Sequence, residues 1–134
     1  MTRLDPSETM RRLEAAVAEA REFFGLDPLY ILAVENTLSA DEAACIDAGD
    51  PYRRCTISVN LHYYQNHPEI IRRDMAHEVG HLMSNEVVQL QRRMPPEWQD
   101  RDDARGGMLN DAIETLTVRL ERLFLRERPE VPNG

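Results

Sequence analysis

The chain contains no lysine; all sixteen of its basic residues, among 134, are arginine. That absence points to a GC-rich coding sequence and assigns no chemistry. Cysteine is almost as scarce. Cys45 and Cys55 are the only two, too few for a disulfide framework. No apolar run approaches the ~20 residues of a membrane-spanning helix. The opening Met1–Pro6 stretch has neither the basic segment nor the apolar run of a secretory signal. A surplus of cations is missing too. The net charge of −8 excludes a general nucleic-acid binder, which needs a basic face. The arginine pairs 11–12, 53–54, 72–73 and 92–93 are scattered among carboxylates and read as solvated faces. These absences lead to the expectation of a cytoplasmic protein with no membrane association.

What is present fits one small folded domain spanning residues 1–134. The 42% apolar fraction argues against wholesale disorder. A core of this size often relies on a staple, and a bound metal is one candidate.

Asp5, Pro6 and Glu8 read as a helix start, with Met10, Leu13, Val17, Ala20 and Phe24 at helical spacing and Gly25 as the stop. Leu29–Val34 reads as a strand. Ser39–Ala44 can open a short helix, but Ala48-Gly-Asp-Pro51 signals a turn. A hairpin with arms at 43–47 and 53–60 is therefore expected. A second helix runs from Pro68 to at least Met83, and up to Gln91. Pro95-Pro96 interrupts it with a polar loop from Met94 to Gly107. A last helix begins near Met108 or Asn110, with Leu109, Ile113, Leu116, Leu120 and Leu123 as its buried stripe. Residues 129–134 are expected to fray. The expected fold is α+β, a small antiparallel three-stranded sheet packed with three helices.

The chemistry centres on His77-Glu78-Val79-Gly80-His81. Histidines four apart share one helix face, so both imidazoles can reach one metal ion. A glutamate after the first histidine stands near the open position of such an ion and can take a proton from a bound water. Zn²⁺ suits imidazole and carboxylate donors. With four histidines in the chain, the pattern arises by accident roughly 1% of the time.

This pentapeptide resembles the active-site helix of the zincin metallopeptidases. The order of elements over residues 29–125 resembles compact zincins, including small bacterial and phage-type metallopeptidases. No metzincin continuation follows His81, which leaves the gluzincin branch, where a downstream glutamate is the third ligand. The resemblance implies a Zn²⁺-dependent peptidase that cleaves a peptide bond by Glu78-assisted attack of zinc-bound water. His77, His81 and Glu114 would hold the metal, with Asp111 as the competing third ligand. The 53–60 strand resembles the zincin edge strand, so the implied peptide or protein substrate would lie along Thr56, Ser58 and Asn60. A deformylase-like completion through Cys45 or Cys55 is a rival, although neither cysteine's surroundings match that motif. His62, His67, Tyr63 and Tyr64 are candidate oxyanion donors, and Asp74 is a candidate partner for an imidazole N–H. The alternative function is a metal-stabilised binding, structural or regulatory protein without turnover.

Overall fold

The computed structural model describes residues 3–26, 31–36, 42–47 and 54–130. The first helix, α1, spans Pro6–Phe23. The Asp5 carboxylate accepts the Glu8 N–H at 2.8 Å, and Glu8 in turn pairs with Arg11 and Arg12. Gly25, at φ 65°, turns the chain through a conformation that other residues rarely adopt.

Strands β1 (Ile31–Asn36), β2 (Ala44–Asp47) and β3 (Arg54–Val59) follow. They form one sheet in the order β1-β3-β2. β2 and β3 make the expected antiparallel pair, but β1 runs parallel to β3. The sheet is therefore mixed, not antiparallel. After β1 the chain leaves a strand-wide gap before laying down β2, and β3 returns to fill it. The turn expected at 48–51, the start of the strand expected at Leu29 and the optional helix start at Ser39 lie outside the described residues.

The central place of β3 corrects the expected substrate edge. Thr56 is paired with Ala33 on one side and Asp47 on the other, and Ser58 with Glu35 and Cys45. Asn60 accepts the Tyr63 N–H and caps the next helix. Among the described strands no free ladder remains there for a substrate strand; the edges of the sheet are β1 and β2. The Asn60 N–H donates to the Ala43 carbonyl at 2.8 Å. By the alternation of an antiparallel ladder, Ala44 and Ile46 then turn their backbone groups away from β3.

Among the described residues the remaining α-helices are α2 (Leu61–Asn66), α3 (Ile71–Gly80), α4 (Asn85–Gln91) and α5 (Ala104–Glu127). The second helix expected from Pro68 to at least Met83, and up to Gln91, is divided into α3 and α4. His81–Ser84 forms a 3₁₀ turn between them. α5 starts several residues before the expected Met108, capped by Asp103, whose carboxylate accepts the Arg105 N–H. No helix among the described residues is long and apolar enough to cross a membrane.

The core joins Leu13, Val17 and Ala20 of α1 to Ile57 and Val59 of β3, Met75 and Val79 of α3, and Phe124 of α5. Arg72 ties the helices together at its margin. It pairs with Glu19 of α1 and lies 4.9 Å over the Phe124 ring. The expected buried stripe of α5 is rotated. Gly106, Thr117 and Phe124 are the buried positions, whereas Leu116 is 42% and Leu123 37% exposed.

Gly106 and Gly107 seat the preceding loop on the first turn of α5. A Cβ at Gly106 would stand 2.0 Å from the Asp100 carbonyl oxygen, and one at Gly107 2.9 Å from that of Arg101. Glycine to alanine inside a helix ordinarily gains up to ~1 kcal/mol. Here the backbone clash reverses the sign. Gly106→Ala should destabilise by about 1–3 kcal/mol, the usual cost of overpacking, read as a lower midpoint in urea unfolding.

Candidate metal centre

α3 places His77 on its last turn, and His81 follows directly after Gly80, where the helix tightens into the 3₁₀ turn. Four residues apart, the two rings remain on one face, with centroids 4.9 Å from each other. Across from them runs α5, and Glu114 projects between the two imidazoles. Its Oε1 lies 2.8 Å from His77 Nε2 and its Oε2 3.7 Å from His81 Nε2. All three donors lie within 4.8 Å of one another. Tetrahedral zinc with bonds near 2.1 Å needs donor separations of about 3.4 Å, so the two carboxylate–imidazole distances bracket what such an ion requires. The donor set fits a metal ion. Among the described residues this group has three members.

The far nitrogen of each ring is also engaged by α5. His77 Nδ1 is 3.2 Å from Glu121 Oε1. His81 Nδ1 is 3.3 Å from Thr117 Oγ1, and that hydroxyl donates to the Ile113 carbonyl at 2.9 Å. With the hydroxyl hydrogen committed to Ile113, Thr117 is left to accept an N–H from His81. Both rings then carry hydrogen on Nδ1 and turn Nε2 toward Glu114, as a metal ligand requires. Glu114, Thr117 and Glu121 stand three and four residues apart, on one face of α5.

From the sequence, Asp74 is a candidate outer partner of a histidine. Asp74 instead accepts the Tyr64 hydroxyl at 2.9 Å and pairs with Arg73. Glu121, one of the carboxylates of the last helix, takes that place. Its helical spacing from Glu114 was visible, but the contact with His77 spans 44 positions. Asp111 lines the neighbouring cleft without joining the donor group. Neither cysteine joins it: Cys45 lies on the cleft wall, and Cys55 is buried in β3. His62 contacts Arg3 and Asn66, and His67 contacts Glu69 and Tyr63, away from the cleft. Tyr63 packs against Tyr64 and His67.

Glu78 stands where two clefts meet. The larger, about 740 Å³, lies between β2, α4 and α5, and the smaller, about 510 Å³, holds Tyr64, Asp74 and Glu121. Burial pushes the Glu78 carboxyl up to about 7; His77 opposes the shift, and the Asp74 and Glu114 charges reinforce it. A carboxylate so placed exchanges a proton near neutral pH. Burial likewise lowers the His81 pKa, against the pull of Glu114, which favours the neutral imidazole that binds metal.

No family model, curated protein or solved structure matches the chain.

The raised Glu78 pKa has a consequence for the metal-free protein. In the unfolded chain this carboxyl ionises near 4.5, before its folded counterpart near 7. The stability it contributes is complete below pH 4.5 and is lost as pH rises toward 7. Glu78→Gln lacks that loss. With chelator present, the denaturation midpoint of the Gln variant minus that of wild type should grow between pH 4.5 and 7. A flat difference would contradict the assigned environment.

Proposed function

We propose that the protein is a zinc-dependent metallopeptidase. The observation that carries this reading is the three-donor group His77, His81 and Glu114 with Glu78 beside it, opening on a cleft walled by the edge strand β2. Two imidazoles and a carboxylate suit zinc. A zinc ion held there would polarise a carbonyl and acidify water in its open position. Structural zinc sites close with four protein ligands. The three donors found among the described residues therefore favour catalysis over the metal-stabilised binding or structural alternative.

The chain's own residues have separate tasks. Glu78 takes a proton from the attacking water and returns it to the leaving amide nitrogen. Glu121 and Thr117 hold the two imidazoles with Nε2 forward. An extended peptide adds as a strand to the outward backbone groups of Ala44 and Ile46. That assignment replaces Thr56 and Ser58, whose strand has both neighbours in place, and Asn60, which caps α2.

Two measurements test the reading. Glu78→Gln should abolish hydrolysis of unstructured peptides while retaining about one zinc per chain by elemental analysis; unchanged activity would refute it. Glu121→Ala should weaken zinc binding by about 10–100-fold, the usual effect of losing a ligand's hydrogen-bond partner, whereas Asp74→Asn should leave zinc affinity unaltered. Equal losses in both variants would remove Glu121 from its assigned role.

A further inference from the structure

The larger cleft carries two cations that the proposed chemistry does not use. Arg92 follows the end of α4, and Arg101 lies in the loop before α5; both line the cleft that holds Glu78, His81 and Glu114. Elsewhere on the chain Arg11, Arg12, Arg72, Arg73, Arg105 and Arg126 pair with carboxylates. Neither Arg92 nor Arg101 has a carboxylate partner among the described residues.

The backbone beneath these two residues is fixed. The Gln91 amide donates to the Trp98 carbonyl at 2.7 Å, and the Gln99 amide to that of Met94 at 2.9 Å. These bonds tie the loop back to the end of α4. At its other end, Asp100 and Arg101 rest directly on Gly106 and Gly107. Both guanidiniums thus extend from an anchored backbone, which lowers the ordering cost of binding. Guanidinium groups match carboxylates in both charge and geometry.

Charge within the cleft points the same way. With Glu114 committed to a metal ion, Glu78 and Asp111 are the other acidic groups lining the cleft, and Arg92 and Arg101 offset them. The surrounding net charge of −8 acts through salt that screens beyond ~8 Å. Contacts inside the cleft therefore decide selectivity.

We propose that the cleft selects peptides presenting a carboxylate, which Arg92 and Arg101 bind while the extended chain lies along β2. The inference rests on the peptidase reading for its substrate class, and its test does not require turnover. The carboxylate can be an acidic side chain or a free C-terminus. Zinc-loaded Glu78→Gln protein is titrated against four sequence-matched fluorescent peptides. They carry Glu or Gln at one position, each as free acid or C-terminal amide, and binding is read by anisotropy. Carboxylate-bearing peptides should bind about tenfold more tightly than the fully neutral one, as expected of charge-assisted hydrogen bonds. Loss of preference on Glu-to-Gln replacement identifies a side-chain source, and loss on amidation identifies the C-terminus. Adding R92E and R101E together should reverse the preference. The single R92Q and R101Q changes should each reduce it, and R93E, outside the cleft, should leave it intact. Equal binding of all four peptides, or a preference that survives R92E/R101E in a variant with an unaltered circular dichroism spectrum, overturns the inference. If wild type fails to cleave peptides that show the preference and its reversal, the peptidase reading falls and this one stands.

Discussion

The arrangement depends on the register between α3 and α5. Gly80 faces Thr117 and Leu120, with the nearest threonine atom 3.5 Å from where a Cβ would sit. From that approach, Glu114 reaches both Nε2 atoms, while Thr117 and Glu121 reach one Nδ1 each. A slip of one residue between the helices would turn all three side chains away at once. α1 braces α3 from the other side. Leu13 and Val17 share a core with Met75 and Val79, and Arg72 links Glu19 to the Phe124 ring.

The sheet contributes by what it leaves unpaired. β3 is satisfied on both sides and supplies Ile57 and Val59 to the core, so its role is structural. β2, only four residues long, is the edge of the described sheet that lies beside Glu78. Short edges limit unwanted strand pairing. A cleft wall of this length offers few outward backbone groups, and side chains make up the rest of the lining.

Local signals in the sequence were legible, and distant ones were not. The Asp5 cap, the Gly25 stop and the β2–β3 pair follow from neighbouring residues, as does the one-face spacing of His77 and His81. The parallel β1–β3 pairing joins segments separated by an intervening strand, and nothing local encodes it. The phase of α5 was misread for another reason. Leu109, Ile113, Leu116, Leu120 and Leu123 suggest an interior face, yet the buried face includes Gly106 and Thr117. A helix that carries a polar site inward does not obey hydrophobic periodicity alone. That is also why Asp111 competes with Glu114 in the sequence, and why Asp74, one turn before His77, is a candidate histidine partner there while the contact with distant Glu121 is not visible.

The spacing of the donors along the chain bears on the order in which the site can form during synthesis. The hairpin of β2 and β3 is local and needs little loop closure. His77 and His81 emerge next, but they stand without Glu114 for more than thirty positions. Their outer partners Thr117 and Glu121 come later still. A nascent chain therefore presents the histidine pair without its α5 partners until α5 docks. Completion of the centre coincides with closure of the helical layer, so a chain truncated before α5 would hold neither the centre nor its cleft.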